Sequence, residues 1–395
     1  MLTLPAMLQE VQQEFRRIFQ YWETHDVDPR GGFYGRVDAQ NQPDPAADKS
    51  IVLNARILWS FSNAYRVTKN PTYRTLADRA FAYIQQYFLD PKHGGVYWSV
   101  QADATPRVTT KQLYGQGFAL YGLSEYYRAT KQAEALTAAQ QLFRTLVDRA
   151  YDSKNGGFIE AFHQDWSNTD EYILSKGELR KSMNTHLHLI EPFTNLYRIW
   201  PDASVQKHVR SMLEHDFMQH IIDPTTYHMR LFFTEDWQVR STEVSYGHDI
   251  EASWLLYETA EVLNDKALLA KTKELSLKMA TATLEGLNPD GALTYEYNPQ
   301  TGHKNEDRSW WVLSEQLVGY YNAYQLSGKQ HFLEKARKSW EFIKTHLLDT
   351  KNGEWYEKTD AAHHPSLKAD KINAWKCPYH NSRACYEIMH RLQAK

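Results

Sequence analysis

The stretch DPKHGGVYWSV at residues 90–100 decides the fold, because near copies of it recur along the whole chain. An Asp-Pro pair, two glycines and a short alternation of aromatic and polar residues predict a tight turn leading into a small strand or hairpin. The fourth copy, DPTTYHMRLFF, lacks the glycine pair. Successive copies start 62, 62, 71, 65 and 61 residues apart, which indicates six repeats of one unit. The copies begin at Asp28, Asp90, Asp152, Asp223, Asn288 and Asp349.

The segments between these turns are predicted to be helical, because apolar residues follow one another at spacings of three and four. In every repeat the helix after the turn is apolar nearly all round, as in IVLNARILWSF, and we expect it to be buried. The helix before the turn is amphipathic and charged, as in EKARKSWEFIKTH, and we expect it to lie outside. The predicted helices cover residues 7–22, 51–65, 73–88, 113–127, 136–150, 183–199, 205–221, 244–263, 268–284, 311–324, 332–347 and 372–392.

Six buried and six outer helices in alternation predict an all-α fold, an (α/α)6 barrel with short β-hairpin turns at one end. An open solenoid of the same repeats is the alternative, but a count of six favours a closed ring. The repeats run through the whole sequence, so we expect a single catalytic domain at residues 1–395. Because the turns are short, all six should lie at one end of the barrel, where the inner helices begin.

Composition excludes several functional classes. The net charge is -3 at pH 7 and the basic residues are scattered, so no nucleic acid or membrane partner is indicated. The sequence has no apolar run of 18 residues and no signal-peptide pattern, so we expect a cytoplasmic protein. Cys377 and Cys385 fall on one predicted helix, which favours reduced thiols. The 12 tryptophans and 25 tyrosines permit stacking on sugar rings, although core packing accounts for most of them.

Polar side chains mark the start of each predicted inner helix. Taken singly, each is explained by a structural role, but isolated buried charges are costly, so together they require a shared polar pocket. Imidazoles suit proton transfer near neutral pH, an arginine suits a developing oxyanion, and glutamates can orient histidines or bind hydroxyls. The candidates are Asn54, Arg56, Tyr114, Asn184, His186, His188, His248, Glu251, Trp310, Trp311, Glu315, Trp375 and His380.

Three other interpretations stay open on the residues alone. A catalytic metal would need more ligands than the pair His248 and Glu251, or the lone Cys377 and His380, supplies. Glycoside hydrolysis needs two carboxylates that flank the scissile bond, and Glu251 with Glu315 could supply them. A non-catalytic barrel that binds sugar or protein is the third, but it gives no reason for a mouth rich in titratable groups.

Six motifs, in this order, resemble the cellobiose 2-epimerases of the N-acylglucosamine 2-epimerase superfamily. They are SIVLNARILW, QLYGQGFALYGLSEYY, SMNTHLHLIEPFTNLYR, SYGHDIEASWLL, RSWWVLSEQLVGYYNAY and WKCPYHNSRACYE, and they span nearly the whole chain. That family folds as an (α/α)6 barrel and works without a metal or nucleotide cofactor. It inverts C2 of the reducing-end aldose in β-1,4-linked disaccharides such as cellobiose and lactose. The resemblance therefore implies an isomerase whose partner is a small sugar.

The resemblance also implies roles for ten residues. His248 and His380 would be the acid–base pair that moves the C2 proton through a cis-enediolate, and His380 would also assist ring opening. His188 and Arg56 would stabilise the oxygens at C1 and C2 as negative charge develops. The residues implied to bind the sugar or orient the histidines are Tyr114, Asn184, Glu251, Trp311, Glu315 and Trp375.

The preferred substrate stays open. Mannose 2-epimerases of the same superfamily carry almost the same motifs and act on free monosaccharides. Proton return at C1 in place of C2 would make the same site an aldose–ketose isomerase. The longest interval between repeats places an insertion at residues 166–179, next to the predicted mouth. Nothing in the sequence distinguishes a monomer from a homodimer.

Overall fold

Residues 2–175 and 177–393 are described by a computed structural model of the chain. Within them, twelve α-helices alternate between an inner and an outer ring, as the periodicity predicts. The inner helices are α2 (Ile51–Thr68), α4 (Leu113–Thr130), α6 (Met183–Ile199), α8 (Tyr246–Leu263), α10 (Trp310–Ser327) and α12 (Tyr379–Gln393). The outer helices are α1 (Leu4–His25), α3 (Pro71–Tyr83), α5 (Ala133–Ala150), α7 (Ala203–Ser211), α9 (Lys266–Ala282) and α11 (Gln330–Phe342).

The inner ring is closed. Consecutive inner helices contact each other all the way round, and α12 returns to contact α2. An open solenoid would leave those two helices apart, so that alternative is wrong. Each outer helix packs against an inner one, and α1 packs against α12. The inner helices are buried on every side, as in α2, where all side chains from residue 51 to residue 64 are buried.

Four outer helices end in a turn of different pitch. A 3₁₀ turn at Thr283–Gly286 extends α9. π-Helical turns extend α3, α7 and α11, and they cover Ile84–Phe88, Met212–Ile221 and Ile343–Leu347. The helix ends predicted at residues 88, 221 and 347 are therefore correct, although the last turns are wider than α-helical.

Short antiparallel strands lie where the inner helices begin. They pair as β1–β2–β3, β4–β5, β6–β7, β8–β9 and β10–β11. Four of them, β1, β4, β6 and β10, run directly into inner helices, which confirms hairpins at that end. Their bounds are β1 (Lys49–Ser50), β2 (Ser99–Val100), β3 (Pro106–Val108), β4 (Lys111–Gln112), β5 (Ala161–Phe162), β6 (Lys181–Ser182), β7 (Phe232–Phe233), β8 (Glu296–Tyr297), β9 (Lys304–Asn305), β10 (Arg308–Ser309) and β11 (Lys358–Thr359).

An ion pair ties five of the six turns to the chain that follows. In the second repeat, Asp90 Oδ1 accepts hydrogen bonds from the backbone N–H groups of Lys92 and His93, which closes the turn. Asp90 Oδ2 lies 2.8 Å from Lys111 Nζ, and both side chains are fully buried. Losing one partner would leave an uncompensated buried charge, so this pair holds its turn against the next helix. The equivalent pairs are Asp28–Lys49, Asp152–Lys181, Asp290–Arg308 and Asp349–Lys371, whereas the fourth repeat has a partly exposed pair within its turn, Asp223–Arg230.

The glycine pair lets the backbone of the turn adopt left-handed conformations. Gly94 and Gly95 have φ angles of +74° and +72°, in the left-handed region. The fourth repeat has no glycine there, and Tyr227, also the fourth residue after the turn aspartate, holds a φ of 63°. That conformation costs an L-residue roughly 1–2 kcal/mol. The imperfect repeat is thus tolerated at a local cost in backbone strain.

The last inner helix begins later than predicted. Apolar spacing places its start at residue 372, whereas α12 begins at Tyr379, directly after Pro378. In the preceding loop, Asn373 Oδ1 accepts hydrogen bonds from the backbone N–H groups of Trp375 and the next residue. This side chain to backbone bonding competes with the helix and replaces it by a turn. Trp375 therefore stands on a loop at the barrel end, not on a helix.

The two thiols are both buried and free, as the sequence predicts. Cys377, however, lies in the loop before α12 and not on the helix that carries Cys385. No helix in the described part of the chain is both long enough and apolar enough to cross a bilayer.

Candidate active site

A cavity of about 390 Å³ opens at the hairpin end of the barrel, and we call it the mouth cavity. Glu315 lies behind its wall and is fully buried. The other nine residues implied by the sequence all line the cavity: Arg56, Tyr114, Asn184, His188, His248, Glu251, Trp311, Trp375 and His380. Hairpin residues and α10 complete the wall with Tyr295, Asn305, Asp307, Ser309, Trp310, Glu357 and Lys358.

His248 and His380 are each held through one ring nitrogen. His248 Nδ1 lies 2.7 Å from Ser245 Oγ, and His380 Nδ1 lies 2.7 Å from Glu315 Oε1. The Trp311 ring packs against both imidazoles, with centroid distances of 4.7 Å and 5.8 Å. Fixing Nδ1 orients each ring and leaves Nε2 for a bound ligand.

His188 is the third imidazole of the mouth cavity. Its Nδ1 lies 3.5 Å from Glu191 Oε2 on the same helix. The rings of Tyr114 and Phe118 pack against it, each with a centroid distance of 5.0 Å. One ring nitrogen of His188, one of His248 and one carboxylate oxygen of Glu251 lie within 4.8 Å of one another. These side chains therefore converge on one point in the cavity.

Burial lowers the pKa of all three imidazoles. For His248, burial and then the nearby His188 and His380 lower the pKa to about 3. Burial, together with the charges of Arg56 and Arg383, lowers the pKa of His380 well below its ordinary value. Burial also dominates the lowered pKa of His188. At neutral pH these rings are uncharged, so each keeps a lone pair that can accept a proton.

Arg56 is a buried cation with no acidic partner. Its Nη2 donates to Tyr114 Oη at 2.7 Å, and its Nη1 donates to the Trp375 carbonyl at 3.3 Å. Its Nη1 also lies 3.7 Å from Cys377 Sγ, and the guanidinium lies 4.1 Å from the centre of the Phe118 ring. Among the residues that the structure describes, no carboxylate reaches ion-pair distance of Arg56. Its charge is therefore available to an anion that forms in the cavity.

A second buried arginine, Arg383, joins three carboxylates next to the cavity. Its Nη2 donates to Glu251 Oε1 at 2.6 Å and to Glu315 Oε1 at 2.7 Å, and its Nη1 donates to Glu191. Burial raises the pKa of Glu315, and burial with the Glu315 charge raises that of Glu251 well above its ordinary value. For Glu191 burial is outweighed by Arg383 and His188, which hold the pKa at about 2. Glu191 is thus ionised at neutral pH.

This geometry does not suit the hydrolase alternative. A glycosidase places its two carboxyl groups on either side of the scissile bond. Here Glu251 and Glu315 share one nitrogen of Arg383, and Glu315 is absent from the cavity wall. No sugar linkage fits between two carboxylates joined by the same guanidinium.

Two further candidates from the sequence have structural roles. His186 Nε2 accepts a hydrogen bond from the Phe158 backbone N–H at 3.0 Å, and its Nδ1 lies 2.7 Å from the Ser182 carbonyl. Asn54 Nδ2 donates to the Ser50 carbonyl at 2.8 Å. Neither side chain lines the mouth cavity, because each points to another face of its helix.

The chain is similar in sequence and structure to several known proteins. The N-acylglucosamine 2-epimerase (GlcNAc 2-epimerase) family matches residues 32–384. The chain belongs to this family. A cellobiose 2-epimerase of Bacteroides fragilis is 45% identical over 385 residues, covering 96% of this chain and 98% of that protein. A cellobiose 2-epimerase of Dictyoglomus turgidum is 36% identical over 379 residues, covering 95% and 96%. The structure of a Spirochaeta thermophila cellobiose 2-epimerase matches with a TM-score of 0.93 at 37% identity, covering 98% and 97%.

The chain is accordingly a carbohydrate epimerase, and so an isomerase, as the motifs imply. Its (α/α)6 fold is also that of the cellobiose 2-epimerase structures. Sequence analysis of this epimerase overlooked Arg383, the centre of its carboxylate cluster. The signal was present, because an arginine three residues after His380 lies on the same face of a buried helix.

Two groups of side chains in this epimerase could supply ligands to a metal ion. Their ligand atoms lie within 4.8 Å of one another: His188, His248 and Glu251 in one group, and Glu251, Glu315 and His380 in the other. In the second group Arg383 already donates to both carboxylates, so a guanidinium supplies the positive charge there. The first group, two imidazoles and a carboxylate, lines the mouth cavity.

Proposed function

We propose that this epimerase inverts C2 of the reducing-end aldose of β-1,4-linked disaccharides, converting cellobiose to glucosyl-mannose and lactose to epilactose. The names of its relatives support that substrate class. The observation that carries the chemistry is the unpaired Arg56 beside three uncharged histidines in one cavity. A site that takes a proton from carbon needs a neutral base and a cation for the resulting oxyanion, and both are present.

His248 is placed to act as the base. With its Nδ1 held at Ser245 Oγ, Nε2 carries the lone pair and takes the proton from C2 of the open-chain aldose. The C2–H bonding pair becomes the C1–C2 double bond of a cis-enediolate, and negative charge moves to the oxygen at C1. Arg56 and His188 stabilise that charge, which is why the weakly basic imidazole of His248 suffices.

His380 is placed to return a proton to the opposite face of C2. Its Nδ1 lies 2.7 Å from Glu315 Oε1, a distance at which the two groups can share a proton. When that proton resides on Glu315, the carboxyl group donates to Nδ1 and the hydrogen of His380 lies on Nε2, ready for transfer. As Nε2 gives its proton to carbon, the Glu315 proton moves to Nδ1. When the pyranose opens earlier in the cycle, Nε2–H can protonate the ring oxygen, and the proton released by the anomeric hydroxyl restores Nε2–H before C2 is protonated.

The rest of the wall supports a substrate larger than one sugar. Trp375 is 37% exposed at the rim, and its ring packs near Trp98 with a centroid distance of 6.0 Å. On another side of the rim, Lys358 Nζ lies 2.7 Å from Asp307 Oδ2. Aromatic and charged groups beyond the histidines favour a second ring. No described residue of the insertion at 166–179 lines the cavity, so this rim comes from the later repeats.

The test is incubation with cellobiose, lactose or mannose in D2O containing EDTA, followed by NMR of the sugars. We expect deuterium at C2 together with the C2 epimer, faster with the disaccharides. Faster turnover of mannose would favour the monosaccharide alternative, and a ketose product would favour aldose–ketose isomerisation. Loss of turnover with EDTA and recovery with added metal would overturn the metal-free mechanism. Free glucose from cellobiose without deuterium would overturn the proposal.

We expect a cytoplasmic enzyme, monomeric or homodimeric.

A further inference from the structure

A second cavity of about 420 Å³ lies at the opposite end of the barrel, and we call it the far cavity. It is surrounded by the C-terminal turns of the inner helices. The sixteenth residue of each of five inner helices lines it: Arg66, Arg128, Arg198, Glu261 and Gln325. Helix α12 adds Arg383 and Arg391. The far cavity is therefore built by the same repeat as the mouth cavity, from the other ends of the helices.

The outer arginines of the far cavity do not by themselves indicate a ligand. Arg66 Nε lies 2.7 Å from Glu125, and Arg391 Nε lies 3.0 Å from Glu387. Arg198 is paired in the same way with Glu258. Cations at helix C-termini also interact favourably with the helix dipoles. These pairs are explained by the fold alone.

Four other groups of the far cavity do indicate a ligand. Trp59, Asn63, Asn322 and Arg383 line it and are 4%, 2%, 2% and 1% exposed. In each of them one buried nitrogen has no hydrogen-bond partner. A buried polar group without a partner destabilises the fold, so four in the residues around one cavity need an explanation. The nitrogens are Trp59 Nε1, Asn63 Nδ2, Asn322 Nδ2 and Arg383 Nε.

The chemical type of these atoms distinguishes the far cavity from the mouth cavity. All four are donors, so they call for a ligand that offers acceptors only. In the mouth cavity the buried atoms without partners are mixed: Asn184 Oδ1 accepts, whereas Arg56 Nε and Trp310 Nε1 donate. A mixed set suits a polyhydroxylated sugar, whose hydroxyls do both. The far cavity does not match a sugar in this way.

We propose that the far cavity binds a small oxyanion, either an inorganic phosphate or an organic carboxylate. Both classes offer several acceptor oxygens and no obligatory donor. Arg383 thus lines the far cavity with its Nε unbonded, while its Nη atoms donate to Glu251 and Glu315 next to the mouth cavity. The proposal does not depend on the sugar substrate.

The experiment is isothermal titration of the full-length protein with sodium phosphate and with sodium malonate, at an ionic strength held constant with sodium chloride. The Asn63→Asp and Asn322→Asp variants keep the side-chain shape but replace the donor by a charged acceptor. We expect each to weaken binding about tenfold or more, because a charge-assisted hydrogen bond becomes a repulsion. Whichever of the two anions binds more tightly identifies the ligand class.

The matched control is Asn70→Asp. Asn70 caps α3 outside the far cavity by accepting from the Thr72 backbone N–H, and an aspartate caps equally well. It adds the same charge, so an affinity within about twofold of wild type shows that the effect of the cavity variants is local. A Trp59→Phe variant provides a second test that keeps the ring and removes one donor, and we expect it to weaken binding several-fold.

Arg56 could attract the same anions to the mouth cavity, so the titration is repeated with saturating cellobiose. Binding that persists with cellobiose and is lost in the aspartate variants places the anion in the far cavity. Binding that cellobiose abolishes and that these variants leave unchanged would overturn the proposal. The absence of binding heat with both anions at about 10 mM would also overturn the proposal. It would mean that the binding free energy is weaker than about −3 kcal/mol. Failure of the epimerase assay would not affect either result.

Discussion

The two ends of the barrel hold cavities of nearly equal volume, about 390 Å³ at the mouth and about 420 Å³ at the far end, with arginine and aromatic rings in both. They differ in how the charges are paired. At the far end Arg66 and Arg198 each have a glutamate partner. At the mouth Arg56 has none within ion-pair distance among the described residues, and the histidines beside it are uncharged.

The difference shows what catalysis requires of a buried charge. A paired arginine is already neutralised by its glutamate, so it stabilises the fold and cannot respond strongly to a new anion. An unpaired arginine raises the energy of the resting protein, because its desolvation is not compensated. That unfavourable state is relieved when an enediolate forms, so the stabilisation appears in the transition state and not before it. The same residue type is structural at one end and, in the proposed mechanism, catalytic at the other.

The largest effect is expected from the histidines of the mouth. Replacing His248 or His380 by Ala should lower kcat/KM for cellobiose by about 10³-fold or more, because each removes a proton-transfer group. His188→Ala should also abolish measurable turnover. The same change at His390, which lines the far cavity, should leave kcat/KM within about twofold of wild type. Thermal melts check folding, and near-normal activity in any mouth variant would remove that residue from the mechanism.

The second-largest difference is expected in the kcat of variants in which an arginine at one end or the other of the barrel is replaced by lysine. Arg56→Lys keeps the charge but loses the planar guanidinium, so we expect kcat to fall about 10²-fold. Arg198→Lys keeps the ion pair with Glu258 and should change kcat by less than about twofold. Steady-state kinetics on both variants measure this. Equal losses at the two ends would contradict the distinction between paired and unpaired arginines.

A smaller effect is expected from buried glutamates. Glu315→Gln still contacts His380 but cannot pass it a proton, so kcat should fall about tenfold while KM changes little. At the far end burial also raises the pKa of Glu387, which is bonded to Arg391. Glu387→Gln should leave kcat within about twofold of wild type. A rise in KM at constant kcat for Glu315→Gln would mean that Glu315 acts in binding and not in proton transfer.

The smallest change is expected in the pH dependence, because kcat/KM should hardly vary near neutral pH. The base must be uncharged, and burial lowers the pKa of His248 to about 3, so its active form is fully populated above about pH 5. We expect kcat/KM to stay within about twofold between pH 5 and 8 and to fall only as the pH approaches 3. An ordinary histidine would lose about tenfold at one unit below its pKa of about 6.5. An inflection near that pH, with tryptophan fluorescence unchanged, would contradict an uncharged resting His248.

Much of this architecture follows from the sequence because the repeat restates it six times. Apolar spacing predicts the helices, the turn motif predicts the hairpins, and the polar helix starts predict the mouth cavity. Nine of the ten implied residues line it. The predicted helix boundary is wrong where one copy departs from the pattern. At residue 372, a local turn at Asn373 replaces the expected start of the helix.

What the sequence does not reveal is the pairing of charges across helices. Arg383 comes from α12, and its three glutamates come from α6, α8 and α10. The position three residues after His380 places Arg383 near the site but does not identify its glutamate partners, whereas Arg391 bonds to Glu387 on its own helix. Whether Arg56 is paired depends on every neighbouring helix at once. Spacing along one helix cannot supply that information, because the partners are set by ring closure.

The contact between α1 and α12 has a consequence for the order in which the protein becomes active during synthesis. Of the twelve helices, α1 is synthesised first and its partner α12 last, and Trp22 of α1 shares the carboxylate of Glu354 with Asn381 of α12. His380 and Arg383 belong to α12, so a nascent chain that has reached only α10 carries five-sixths of the inner ring and one of the two histidines proposed to transfer protons. Activity would therefore report closure of the ring: a chain that stops before residue 379 lacks both the seam of the barrel and one member of the proposed acid–base pair.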